Sequence, residues 1–149
     1  MSESESSRAD ALLPIVPFLK IEKDGTPYLE QTVCDQCGAI YFRTPLACAK
    51  CFSRGSFSTR HAPETGELRA YSIVHRSIPG IDVPFVSAIV DFDGGGVLKG
   101  NLQGVDPDPA KIELGGKVRT RFQIAPRKDA AGHEYLMYVF EACQVGENQ

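Results

Sequence analysis

Two cysteine pairs constrain this chain more than any other feature: Cys34-Asp35-Gln36-Cys37 and Cys48-Ala49-Lys50-Cys51, with ten residues between them. Two C-x2-C turns at that separation can bring four thiolates to the corners of one tetrahedron, the coordination zinc takes in structural sites. Gly38 follows the first pair, where a left-handed backbone lets N–H groups turn toward the sulfurs. Phe52 stands at the equivalent place after the second pair and makes that turn less ideal. One zinc ion on Cys34, Cys37, Cys48 and Cys51 is therefore expected, with an iron–sulfur or redox use as the competing chemistry. Four protein ligands leave no position for water or substrate, so the expected role is structural. Such binding contributes on the order of 10–16 kcal/mol in small modules, enough to fold a ribbon with little core of its own.

The chain has 149 residues, enough for one compact domain or two small ones. Residues 1–33 carry three Lys/Arg against six Asp/Glu, residues 34–76 six against three, and residues 77–149 seven against ten. Only the middle third is basic, and a formal net charge of -3 gives no general electrostatic reason to expect nucleic acid. The Ser/Glu-rich tip Met1–Asp10 is neither a secretory signal nor a membrane anchor. Leu12–Leu19 is apolar but short and interrupted by Pro14 and Pro17, far below the ~20 residues that span a bilayer. A cytoplasmic protein is the expectation, and in a reducing compartment paired cysteines favour metal over disulfides.

Five strand signals follow the cysteines: Gly66–His75, Pro84–Phe92, Val97–Leu102, Lys117–Ile124 and Tyr135–Val145. In the fourth, Val118, Thr120, Phe122 and Ile124 fall on one face. Gly94-Gly95-Gly96 turns the second strand into the third, and no helix signal follows to make it a phosphate loop. A short Pro-bounded segment, Asp106–Leu114, separates the third and fourth strands, which favours an OB-fold over a sandwich. The fold class expected is mainly β: a flexible tip and docking arm (1–27), a zinc ribbon (28–61) and a five-stranded OB-fold barrel (62–149). The apolar arm either docks on a partner or packs back on the chain's own ribbon or barrel.

Nothing here assembles a catalytic constellation. His61, His75 and His133 stand in no recognisable pairing with a nucleophile, and G-x-S-x-G and P-loop motifs are missing. Asp91 and Asp93 end a strand before the glycines, where turn formation explains them. Cys143, in the last strand, reads as a small apolar core residue. The chain alone is not expected to be an enzyme.

A succession of residues carries a resemblance: Pro17-Phe18, Cys34-x2-Cys37-Gly38, Tyr41-Phe42-Arg43-Thr44-Pro45, Cys48-x2-Cys51, Gly66-Glu67-Leu68, Tyr71-Ser72-Ile73-Val74-His75-Arg76, Pro79-Gly80, Pro84-Phe85-Val86 and Gly100-Asn101-Leu102. Over residues 17–143 the chain resembles the bacterial and archaeal proteins that join a rubredoxin-like zinc ribbon to an OB-fold and accompany thiolases and other acyl-CoA enzymes. The second knuckle departs from the family's usual Cys-Pro-x-Cys-Gly, with Ala49 and Phe52. The resemblance implies a non-catalytic subunit of a hetero-oligomer with a thiolase-type partner, supporting assembly, acyl-CoA binding or the partner's active conformation. The arm through Asp24-Gly25-Thr26-Pro27-Tyr28-Leu29 is similar to the benzoylsuccinyl-CoA branch, with steroid side-chain and acetoacetyl-CoA thiolases also open. Arg43, Lys50, Arg54 and Arg76 are the candidate contacts to an anionic coenzyme A or an acidic partner surface. The alternative is a single-stranded nucleic-acid-binding OB-fold with Tyr71, Phe85, Phe92 and Phe122 as a stacking platform, although alternation suits those rings equally as core. A free-standing hydrolase or thioesterase has no residues to speak for it.

Overall fold

A computed structural model describes residues 12–143; the tip and positions 144–145 of the expected last strand lie outside the described residues. Among the described residues every regular element is a strand except one 3-10 turn. The first five strands are β1 (Leu12–Pro14), β2 (Leu19–Ile21), β3 (Pro27–Cys34), β4 (Ile40–Tyr41) and β5 (Phe57–His61). β3 is the spine of this part. β2 and then β4 pair antiparallel along one edge of it, and β5 pairs along the other, from Glu30↔His61 to Cys34↔Phe57. The β2–β3 turn is made by Asp24-Gly25: Gly25 has φ 93° and the Asp24 carboxylate accepts the Thr26 N–H at 2.9 Å.

The barrel follows as β6 (Thr65–Val74), β7 (Phe85–Phe92), β8 (Val97–Gln103), β9 (Lys117–Ile124) and β10 (Glu134–Ala142). Strands pair in the order β6–β7–β8–β10–β9, and β9 returns to β6 to close the ring. Only β8 and β10 meet in parallel among these five, because the 3-10 turn Pro109–Lys111 and β9 intervene in the chain. This is the closed five-stranded OB arrangement that the strand count suggested. Asp108 caps the 3-10 turn by accepting the Ala110 N–H at 3.0 Å, with Pro109 at its first position, where a missing N–H does no harm.

Alternation holds in β9 as far as the core reaches. Val118 is buried and Thr120 and Phe122 are half-buried, but Ile124 is 52% exposed because the strand runs past the core's edge. Of the two readings of the apolar arm, its described residues follow the second. β1 pairs parallel with β10 (Leu12↔Glu134 to Pro14↔Leu136), β2 pairs with β3, and Phe18 and Leu19 are buried.

Ribbon and barrel share one core. Phe18 and Phe42 from the first part join Phe92, Phe140 and Tyr138 of the barrel in a closed cycle of ring contacts, with centroids 5.0–5.9 Å apart. Gln31, fully buried, ties the same junction: its amide donates to the Gly95 carbonyl at 3.1 Å and its oxygen accepts from Arg60 at 2.9 Å. The three glycines are explained here. All have positive φ, and a Cβ on Gly95 or Gly96 would press into Ile40 and Gln31 at 2.6 and 2.7 Å.

Candidate metal centre

Each cysteine pair sits on a turn built from the same backbone bonds. In the first, the Gly38 N–H donates to the Cys34 carbonyl and the Cys34 N–H to Ala39, both at 2.8 Å. In the second, the Phe52 N–H donates to the Cys48 carbonyl at 2.8 Å and the Cys48 N–H to Ser53 at 2.9 Å. The two knuckles therefore superpose in hydrogen-bond pattern, and Phe52 takes φ 69° where Gly38 takes 80°. The concern raised by a phenylalanine in that place is met by the backbone adopting the left-handed form regardless.

The four sulfurs lie within 4.8 Å of one another. Cys34 and Cys51 are 3.6 Å apart, Cys37 and Cys48 3.5 Å, and all five cysteines are free thiols. A tetrahedron with metal–sulfur bonds of ~2.3 Å places its sulfurs ~3.8 Å apart. The donor set thus fits one metal ion that favours thiolates, and no rearrangement of the knuckles is needed.

Electrostatics point the same way. The Tyr41 hydroxyl, with the Cys51 and Lys50 N–H groups, outweighs burial and holds the Cys48 thiol down at about 6. Ser53 lowers Cys34 in the same sense, and its hydroxyl lies 3.2 Å from Cys34 Sγ and 3.3 Å from Cys51 Sγ. For Cys37 the Ala39 N–H pulls downward, yet burial and the sulfurs of Cys48, Cys51 and Cys34 together push it up to about 12. Crowded thiolates repel, so one stays protonated unless a cation sits among them. Ser53 had no signal in the sequence, and Tyr41 stood only among the residues that carry the resemblance, with no part at the cysteines. Tyr41 reaches Cys48 Sγ at 3.3 Å and accepts the Ala49 N–H at 2.9 Å only because β4 lies against the second knuckle.

The four candidate basic residues are spread out. Arg43 follows β4 and places its guanidinium 6.0 Å from the centre of the Phe18 ring. Lys50 and Arg54 are exposed on and beside the second knuckle, and Arg76 is exposed in the loop after β6. Among the described residues none of the four has an ion pair. Of the rings considered as a stacking platform, Phe92 is in the core and Tyr71 and Phe122 pack against it.

The histidines do not form a catalytic group among the described residues. His61 stacks on Tyr28 at 3.7 Å and lies 3.5 Å from Glu22, His133 is 3.0 Å from Asp129, and His75 is exposed. Cys143 lies just past β10, half-buried, where its N–H donates to the Lys117 carbonyl at 2.9 Å. It lines a cavity of about 210 Å³ with Leu68, Leu102, Ile112 and Val118. No helix of the described residues is long and apolar enough to cross a membrane.

Comparison with known proteins finds these likenesses. Residues 59–123 match the family model described as the ChsH2 C-terminal OB-fold domain. A "DUF35 domain-containing scaffold protein" of Methanothermobacter thermautotrophicus is 28% identical over 92 residues, covering 60% of this chain and 68% of the relative. One of the same description from Methanocaldococcus jannaschii is 28% identical over 92 residues, covering 60% of this chain and 64% of the relative. Among solved structures, a chain of the "Ltp2-ChsH2(DUF35) aldolase" aligns with a TM-score of 0.59 and 25% identity, over 77% of this chain and 84% of that one.

Proposed function

We propose that this member of the DUF35 OB-fold family is a non-catalytic scaffold subunit that binds a thiolase- or aldolase-type enzyme and supports its assembly and its acyl-CoA site. The observation that carries the reading is the fold match, over 77% of this chain, to a chain of the "Ltp2-ChsH2(DUF35) aldolase". The description of both curated relatives as scaffold proteins supports it. Within that reading a thiolase is the favoured partner, the complex is a hetero-oligomer, and the metal is zinc, held by Cys34, Cys37, Cys48 and Cys51.

Cys34, Cys37, Cys48 and Cys51 would hold the zinc, which would supply a structural cross-link between the two knuckles. The chain's own residues do the rest. Tyr41, Ser53 and the backbone N–H groups orient the sulfurs, and the aromatic cycle holds the ribbon at a set angle to the barrel. Such rigidity is what a scaffold offers a partner, since little ordering entropy remains to be lost on docking. Arg43, Lys50, Arg54 and Arg76 remain candidates for acidic groups of the partner or the phosphates of coenzyme A.

The test is reconstitution. The full chain mixed with a purified thiolase-type subunit is expected to elute as one complex and to raise that subunit's acyl-CoA turnover, while the chain alone turns over none. Separate elution, with unchanged partner activity, would remove the proposal. Metal analysis of the purified chain is expected to return one zinc per chain; iron in its place would correct the assignment.

A further inference from the structure

We propose that the tip of the second knuckle is a docking point: Leu46 and Phe52, with Lys50 and Arg54, engage an apolar pocket rimmed by carboxylates on the partner protein. The inference rests on the scaffold reading above and names the surface through which part of it acts.

Leu46 is 96% exposed and Phe52 77%, the two most exposed large apolar side chains among the described residues. They bracket Cys48–Cys51, two residues before and one after. Phe52 also occupies a left-handed position, where the equivalent residue of the first knuckle is Gly38. Its ring makes no aromatic or cationic contact within the described chain. The side chain therefore opposes the backbone it sits on and buries little of itself in the fold. A contact outside the chain accounts for both facts. Exposed aromatic side chains on a rigid base are the usual anchors of protein interfaces, because two χ angles are all they lose on binding.

Charge selects the partner. Lys50 lies between the two cysteines and Arg54 two residues past Phe52, both exposed and without an ion pair among the described residues. On the first knuckle, the Asp35 carboxylate is taken by the Ser58 hydroxyl at 2.6 Å. Two cations around an apolar pair fit a pocket with an acidic rim. An anionic bilayer shares that chemistry, but the acidic flanks of this chain, net -3 in residues 1–33 and again in 77–149, oppose its approach.

The experiment titrates the full-length, metal-bearing chain against the purified thiolase-type subunit, comparing wild type with Phe52→Gly and Leu46→Ser. Each variant is expected to weaken binding about tenfold or more. Phe52→Gly should do so with metal content unchanged and melting temperature equal or higher, which separates docking from folding. Lys50→Glu with Arg54→Glu should slow association and flatten its salt dependence. Wild-type affinity in both apolar variants would overturn the inference while leaving the scaffold reading intact. A wild-type chain that does not bind the subunit removes both. Phe52-dependent binding to phosphatidylserine vesicles, or Phe52-dependent self-association of the chain alone, with the subunit's affinity unaffected, would overturn it in favour of a bilayer or a second copy.

Discussion

A phenylalanine held at φ 69° has its Cβ crowded against the next carbonyl, a conformation that costs an L-residue roughly 1–2 kcal/mol and glycine almost nothing. Phe52→Gly is therefore expected to raise stability by about 1 kcal/mol, since glycine's larger unfolded entropy offsets part of the gain. Gly38→Ala should lower it by a similar amount. A Cβ there meets nothing within 4 Å, so the backbone term acts alone. Denaturant melts of the metal-bound protein read both. Tyr41 is a different case. Its hydroxyl is the largest influence lowering the Cys48 thiol, so Tyr41→Phe leaves the ligands in place but weakens the thiolate. Metal affinity is expected to fall about tenfold, the low end for loss of such an orienting partner, in a chelator competition assay.

At the scale of elements, the β9–β10 loop is organised by one carboxylate. Asp129 accepts the N–H groups of Ala131 and His133 at 2.9 and 2.8 Å, the His133 ring at 3.0 Å and the Tyr135 hydroxyl at 2.9 Å. The His133 N–H is the largest of these influences, and together they hold the Asp129 carboxyl down at about 2. A group with a depressed folded pKa stabilises while ionised. The loop's order is thus present above about pH 4 and lost as pH falls toward about 2. The His133 and Tyr135 amide resonances should shift together across that window, and Asp129→Asn should abolish the shift. The five barrel strands and both knuckles were legible because each is written locally, by period-two alternation or by fixed spacing. The arm was not. Leu12–Pro14 becomes a strand only by lying against Glu134–Leu136, a pairing across most of the chain for which three residues give no periodic signal. The use of Gly95 and Gly96 was hidden for the same reason, because what needs the missing Cβ atoms is Ile40 and Gln31 on another sheet.

In the whole molecule the question is whether ribbon and barrel behave as one body. Spacing alone suggested a ribbon folded by its metal, with little core of its own, ahead of a five-stranded barrel. The change of sheet does fall between His61 and Thr65, yet the core ignores it. Phe18, Leu29 and Phe42 belong to the same buried cluster as Leu68, Phe92 and Phe140. Removing the metal should therefore act on the barrel too. Thiolates freed of their cation repel and reprotonate, the knuckles loosen, and Phe42 loses the strand that holds it against Phe92. Chelation is expected to lower the melting temperature of the whole chain in a single transition, with far-UV, near-UV and metal-release signals coinciding. Phe42→Ala tests the same coupling from the other side. It removes a ring from the aromatic cycle at a cost of about 3–5 kcal/mol, and should loosen metal binding although Phe42 is not one of the four candidate ligands. If chelation melted the ribbon in a separate early transition and left the barrel's midpoint unchanged, the shared core would be geometrically continuous but energetically divided between ribbon and barrel.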